Sequence, residues 1–240
     1  MTKSRENFVY QEPDEQVIQS LSIDNVIFGI GDGVLKVLLV RQEDPRHAGS
    51  WALPGGWLRR AEDLRDAAYR ILKELTGLSD FYLQQLKTFG KVERFPGERV
   101  VTVAYYALVN AEAYTLVLGN SARDAAWHDV NHVPDLVYDH NEILSVAIER
   151  LRRDARDEPI GFELLPARFT LAELQSVYEA IFDAKLDKSN FRRRIIKLGF
   201  LEECMEKQHA VPHRAARYYQ VDKKAYHALK RRGFGAISFV

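Results

Sequence analysis

The pattern of apolar and polar positions divides this chain into two stretches, with a lapse of periodicity at residues 154–166. In the first, residues 22–30 (SIDNVIFGI) and 34–41 (VLKVLLVR) are apolar and β-branched almost without a break, with Gly31, Asp32 and Gly33 between them. Such runs around a tight turn predict a β-hairpin buried on both faces. Residues 81–92 and 100–109 (VVTVAYYALV) predict two more strands separated by a loop of Phe95, Pro96, Gly97, Glu98 and Arg99, and residues 125–130 a short strand containing Trp127. Between the hairpin and these strands the period changes. Leu64, Ala67, Ala68, Ile71 and Leu75 recur at helical spacing behind Asp63, a plausible N-cap. A closing helix is expected from Asp139, His140, Asn141 and Glu142 to about Arg153, with Asp139 and Glu142 at capping-box spacing.

After residues 154–166 (DARDEPIGFELLP), which hold two prolines, the pattern is helical again. Thr170 and Glu173 form a second capping-box pair, and Leu171, Leu174, Val177, Tyr178, Ile181 and Phe182 make one wide apolar face. A turn at 183–187 leads to a second helix, residues 188–199, with Phe191, Ile195 and Leu198 facing inward and Gly199 as its C-terminal glycine. Successive residues turn by about 100°, which puts Ser189, Arg193 and Lys197 outward with Arg192 and Arg194 beside them. Residues 200–206 and 216–222 (ARYYQVD) predict an antiparallel pair around Pro212. Its loop holds Lys207, His209, His213, Arg214 and Arg217. The organisation that follows is an arm over residues 1–20, an α/β domain over 21–155 and a second domain over 156–240.

Composition excludes more than it assigns. With 46% hydrophobic and 28% charged residues over 240 positions the chain is an ordinary globular one, long enough for two cores. The single cysteine, Cys204, leaves no intrachain disulfide and suits a reducing cytoplasm. No apolar run reaches the length of a signal core or a membrane span, so a cytoplasmic, membrane-free protein is expected. Net charge changes the picture only once it is split. Of 34 Lys and Arg against 34 Asp and Glu, residues 187–240 hold 13 against 5 and residues 1–186 hold 21 against 29. A basic end of this kind points to nucleic acid. His209, His213 and Cys204 match no tight metal spacing, so phosphate-facing cations are the better reading.

The stretch from 55 to 78, GGWLRRAEDLRDAAYRILKELTGL, carries the chemistry. Gly56, Glu62, Arg70, Leu72, Glu74, Gly77 and Leu78 fall on the spacing of the Nudix box, and the segment resembles that family, in which three glutamates on one helix hold Mg2+ against a nucleoside diphosphate. Here two of the three positions are Ile71 and Leu75, and only Glu74 remains. A hard cation wants several oxygen ligands, so one carboxylate on an apolar stripe is a poor site. Glu62 and Arg70 are placed to pair. Three readings stand: a hydrolase, with Glu93 and Glu98 the nearest replacement carboxylates; a ligand-binding remnant; or a purely structural core. The lost glutamates speak against the first. Arg41, Trp57, Arg59, Glu74, Glu98, Arg99 and Tyr105, which such a fold would gather around its cleft, speak for the second. His140 is expected to pack locally at its helix start.

Two helices followed by a basic hairpin resemble a winged helix-turn-helix, whose second helix enters the major groove. The resemblance implies DNA contacts from Lys188, Ser189, Asn190, Arg192, Arg193, Arg194 and Lys197 on the helix and from His213, Arg214 and Arg217 on the wing. A degenerate Nudix α/β/α sandwich followed by such a domain is similar to the Nudix-related transcriptional regulators of the NrtR family. The stretches PGERVVTVAYYALVN and DKSNFRRRIIKLGFLE are similar to its sugar-responsive, arabinose-regulator branch. That resemblance implies a homodimeric repressor on a palindromic DNA operator, without a resident cofactor or metal. Its effector would be a pentose such as L-arabinose or, in the alternative branch, ADP-ribose; the other alternative is an ADP-ribose pyrophosphatase with an accessory DNA-binding domain.

Overall fold

The computed structural model describes residues 17–41, 47, 49–76, 82–111, 124–207 and 216–234. The chain divides into two compact units, one of residues 1–29, 36–108 and 114–147 and one of residues 30–35, 109–113 and 148–240.

A seven-stranded mixed sheet organises the first unit. Its order is β3 (Trp51–Ala52), β2 (Val34–Arg41), β1 (Val17–Gly31), β6 (Val101–Leu108) and β5 (Tyr82–Phe89), with β4 (Gly55–Arg59) paired to β1 and β7 (Ala125–Asp129) to β2. The expected hairpin is β1 and β2, turned by Asp32 and Gly33 at φ 54° and 74°. Its continuous apolar runs are buried because β1 is an interior strand: Ile23, Val26, Ile27 and Phe28 are fully enclosed. The pairing of β1 with β6 is parallel, Asp24 opposite Ala104 and Asn25 opposite Tyr105. β4 lies antiparallel to β1, Gly55 opposite Asp24. A glycine pair reads as a loop, and the strand exists because the backbones come close: a Cβ on Gly55 would stand 2.3 Å from Asp24 Oδ1 and 2.9 Å from the Ile23 carbonyl.

Helix α1 (Leu64–Thr76) follows Asp63, whose carbonyl accepts from Ala67 N–H at 2.9 Å. It buries Ala67, Ala68, Ile71 and Leu72. Helix α2 (His140–Asp157) buries Ile143, Leu144, Ala147 and Leu151. The capping box expected at its start does not form. Asp139 gives both oxygens to Arg94, at 2.8 and 2.9 Å, and Glu142 takes Lys91 at 2.6 Å. A charge-assisted, two-pronged pair outcompetes a neutral backbone donor for the same carboxylate.

In the second unit a 3-10 turn, Ile160–Leu164, precedes β8 (Phe169–Thr170), α3 (Leu171–Phe182), α4 (Lys188–Lys197), β9 (Leu201–Lys207), β10 (Arg217–Val221) and α5 (Lys223–Arg232). Here the capping box is present: Thr170 Oγ1 accepts from Glu173 N–H and Glu173 Oε2 from Thr170 N–H. The three-stranded sheet runs β8, β10, β9. The antiparallel pair expected after α4 is β9 and β10. α5 was not foreseen, since Lys, Arg and His outnumber apolar residues in it and Tyr226 is its one buried side chain. That ring stands edge-on to Phe162 and Phe200, centroids 5.0 and 5.7 Å away, and so fixes the helix. Among the described residues no helix is long and apolar enough to cross a membrane.

Candidate functional site

Two places concentrate function-bearing residues, one in each unit. On α1, Arg70 acts as a hub. Its Nε and Nη2 each donate to Glu62 at 2.8 Å, Nη2 also to the Trp57 carbonyl at 3.2 Å, and Nη1 to Glu74 at 3.2 Å. Glu62 in turn accepts from Arg59 N–H at 2.8 Å, and Arg59 Nη2 stands 3.5 Å from Glu74. The expected Glu62 and Arg70 pair is therefore a strap that ties the loop before α1 to the helix. Burial pushes the Glu62 carboxyl up, but hydrogen bonds from Arg70 and Arg59 N–H, with their charges, leave it below its ordinary value. Ile71 is 3% exposed. The donor set does not suit Mg2+: Glu74 is already shared between two guanidinium groups and its helical neighbour is a buried hydrocarbon. The side chain of Leu75 lies outside the described residues, as do Gly77 and Leu78.

Beside β1 and β4 lies a cavity of about 60 Å³ whose walls include Asp24, Trp57, Arg94, Phe95, Tyr138 and His140. Three aromatic rings form one side: Phe95 lies 4.8 Å from Tyr138 and 6.5 Å from Trp57, centroid to centroid. Tyr138 sits at φ 55°, a left-handed conformation that a bulky side chain rarely takes and that clusters at binding sites. The floor is ionic. Arg94 is gripped by Asp139 and reaches Asp24 at 3.4 Å, with side chains of 2%, 10% and 9% exposure. His140 packs locally at its helix start, edge-on to Tyr138 at 5.6 Å, and is also buried against a distant segment. Its Nδ1 accepts from Leu53 N–H at 3.0 Å across 87 residues, and Nε2 faces Asp24 Oδ1 at 3.7 Å. Burial pulls the imidazole below its ordinary pKa against the opposing pull of Asp24 and Asp139.

The seven effector candidates scatter around this geometry. Trp57 lines the cavity; Arg59 at the end of β4 pairs with Glu74 on α1. Arg41, Glu98, Arg99 and Tyr105 are not among its walls. Arg41 stacks on Trp51 at 4.6 Å and donates to the Gly49 carbonyl at 2.7 Å. Arg99 bonds carbonyls of its own loop, Glu98 is exposed, and Tyr105 is buried with its hydroxyl 3.4 Å from Gln85. Asp24, Arg94 and Tyr138 had no local signal, and Asp139 only that of a helix cap, because positions 24, 94 and 138–139 meet only through the parallel β1 and β6 pairing and the loops beside it. Among the described residues no three of His, Cys, Asp or Glu come together as metal ligands.

On α4, Asp187 caps the helix by accepting from Asn190 N–H at 2.7 Å, and Phe191 and Ile195 are buried. Lys188, Ser189, Arg192, Arg193 and Lys197 are exposed or nearly so, and Arg194 and Asn190 half-buried. Arg193 and Arg194 both donate to Asn190 Oδ1, at 3.0 and 3.1 Å. Ile196 stands in the middle of this basic face at 50% exposure. Within the same unit a groove of about 760 Å³ is lined by the first turn of α3 with Lys188, Arg192 and Arg217. Arg217 is paired with Glu203 on the adjacent strand. His213 and Arg214 lie outside the described residues.

Residues 21–150 match the NUDIX domain family and residues 161–221 the NrtR DNA-binding winged helix domain family. The chain is 36% identical over 187 residues to the ADPR responsive transcriptional repressor NtrR of Acinetobacter baylyi, covering 76% of this chain and 74% of that protein. It superposes on the crystal structure of Shewanella oneidensis NrtR complexed with a 27mer DNA with a TM-score of 0.78 at 31% identity, over 87% of this chain and 96% of that one. The NUDIX domain of Shewanella oneidensis NrtR complexed with ADP ribose gives a TM-score of 0.51 at 34% identity, over 59% and 94%.

Proposed function

The chain belongs to the NrtR family, in which a NUDIX domain precedes an NrtR DNA-binding winged helix domain, and from that membership we propose that it is a transcriptional repressor whose Nudix domain binds ADP-ribose as its effector. The observation that carries the reading is the 36% identity to an ADPR responsive repressor, which extends over 76% of this chain. It favours ADP-ribose over the pentose sugar that the sequence suggested. The effector domain is residues 21–155, with β1 beginning at Val17, and the DNA-binding domain is residues 156–240.

The geometry supports binding without turnover. Ile71 is buried and Glu74 is neutralised by Arg59 and Arg70, so α1 has no free carboxylate cluster among the described residues on which to activate water. The exposed cations of α4 suit phosphates and guanine edges. A homodimer would place two α4 helices in successive major grooves about 34 Å apart on a palindromic operator, so a modest rearrangement suffices to release it. The test is a titration of a fluorescent operator at fixed salt. Nanomolar binding that weakens at least tenfold with ADP-ribose, and not with L-arabinose, is expected. Unchanged affinity with ADP-ribose ends the effector assignment, and Mg2+-dependent hydrolysis of ADP-ribose that is lost in Glu74→Gln ends the non-enzymatic one.

A further inference from the structure

The buried floor of the 60 Å³ cavity does not balance its own charge. Asp24 and Asp139 bring two carboxylates, and Arg94 brings one guanidinium, which Asp139 grips with two hydrogen bonds of 2.8 and 2.9 Å. His140 cannot supply the missing cation. Its Nδ1 is an acceptor for Leu53 N–H, so that nitrogen carries no proton and the ring is neutral. The residual negative charge falls on Asp24, whose side chain is 9% exposed and whose Oδ2 has only the 3.4 Å contact to Arg94. Among the described residues Oδ1 accepts no hydrogen bond, with His140 Nε2 3.7 Å away. A carboxylate has about four acceptor sites, and burying one so poorly served is costly. Gly55 is part of the arrangement, since any Cβ there would stand 2.3 Å from Oδ1.

We propose that Asp24 is the specificity-determining acceptor of this cavity: it takes a neutral group that donates hydrogen bonds and rejects phosphate. Resting on the ADP-ribose reading, this places a ribosyl hydroxyl pair or the adenine amino group against Asp24, walled by Trp57, Phe95 and Tyr138, and sends the pyrophosphate elsewhere. Both carry N–H or O–H donors beside a less polar face, the C–H face of the ribose or the plane of the adenine, which matches an acceptor under aromatic rings. The cavity has room for about two water molecules, so the aromatic wall must move for a ring to enter. Tyr138, held at φ 55°, is the wall residue with a strained backbone to release.

The experiment compares wild-type protein with Asp24→Asn and Asp24→Ser, first without any ligand. Removing an uncompensated buried charge raises the melting temperature by roughly 2–4 °C. A fall in both variants overturns the proposal, because Asp24 is then a structural partner of Arg94. Calorimetric titration follows with ADP-ribose, AMP, ribose 5-phosphate, adenosine and L-arabinose. Loss of about 10- to 100-fold in affinity for ADP-ribose in both variants is expected, as for one charged hydrogen bond. Of the fragments, adenosine and AMP sensitive to the substitutions place the adenosine half of ADP-ribose against Asp24, and ribose 5-phosphate sensitive to them places the terminal ribosyl hydroxyls there; equal sensitivity of 2'-deoxyadenosine and adenosine assigns the adenine amino group rather than the adenosine ribose 2'-hydroxyl. Wild-type affinity in the variants overturns the proposal while leaving the ADP-ribose reading intact. If wild-type protein binds L-arabinose and not ADP-ribose, that reading falls, and the proposal stands only if the substitutions abolish the sugar. Binding of none of the five overturns both.

Discussion

Arg70 of α1 and the arginines of α4 are employed in opposite ways. On α1, Arg70 spends its donors on Glu62, Glu74 and the Trp57 carbonyl, and Arg59 at the end of β4 turns to Glu74 as well. On α4, Arg193 and Arg194 share one neutral acceptor, Asn190 Oδ1. Lys188, Arg192 and Lys197 pair with no carboxylate among the described residues. Charge neutralised within the fold works as scaffold, whereas charge left facing solvent is available to a polyanion. The same residue type therefore signals different work in the two places, and its partners tell which.

The largest test attempts to turn α1 back into a metal-binding helix. Ile71→Glu places a carboxylate where the side chain is 3% exposed and enclosed by the packing of α1. Burial of this kind raises a carboxyl pKa by about 3 units, equivalent to about 4 kcal/mol at neutral pH. Urea denaturation should show that loss, before any regained hydrolysis can be assayed. A loss under about 1 kcal/mol would mean that the helix can turn this face outward, and α1 would then be a dormant active site.

Next comes the strap. Glu62→Ala strips Arg70 of its main partner and Arg59 N–H of its acceptor, in a pair with side chains 13% and 19% exposed. About 2–3 kcal/mol should be lost, with operator affinity of the folded protein unchanged. The pH dependence has a definite sign. Because Glu62 titrates below its ordinary value in the folded protein, its contribution is complete above the unfolded carboxyl pKa of about 4.5 and fades as pH falls through the folded one. Thermal melts from pH 7 to pH 3 should fall more steeply for wild type than for Glu62→Ala, and parallel curves would remove the strap from the account.

On α4 the expectation reverses. Arg193→Ala should leave stability within about 0.5 kcal/mol, as at an exposed position. It should weaken operator binding by about 1–3 kcal/mol if the residue reads a base, or lower the salt slope by about 1 if it meets a phosphate. Unchanged binding at every salt concentration would show that α4 does not face the DNA.

How much of this was readable from the chain depends on distance along it. Asp187, Thr170 with Glu173, and Glu62 with Arg70 meet their partners within eight positions, and spacing found the last two pairs while Asp187 was read only as part of a turn. Asp139 and Glu142 obeyed the same spacing, yet Arg94 and Lys91, each more than forty positions away, drew their side chains off. The cavity floor is an extreme case, with His140 and Leu53 joined across 87 residues. Nothing local marks Asp24 or Arg94, and only the β1 and β6 pairing assembles them. Arg41 and Tyr105 show the converse: their residue types suit a ligand, and what the chain does not show is that Arg41 stacks on Trp51 and that Tyr105 is buried with its hydroxyl beside Gln85 of β5.

The smallest effect comes from converting one kind of charge into the other. Arg217 lies on β10 beside the groove of the second unit, but it is paired with Glu203 across the strand. By the contrast between α1 and α4, that partner makes Arg217 scaffold rather than contact. Glu203→Gln should transfer it to the second group, because the amide keeps the size of the carboxylate and drops its charge. Both side chains are about half exposed, so the pair is weak and its loss should hardly alter the melting temperature. Operator affinity at low salt should rise about two- to threefold, with a salt slope steeper by up to about 1. If affinity rises equally at high salt, the gain is not electrostatic and Arg217 is not its source. If it falls, Glu203 is holding Arg217 in the orientation the DNA requires, and internal pairing would then prepare a cation for its partner instead of withdrawing it.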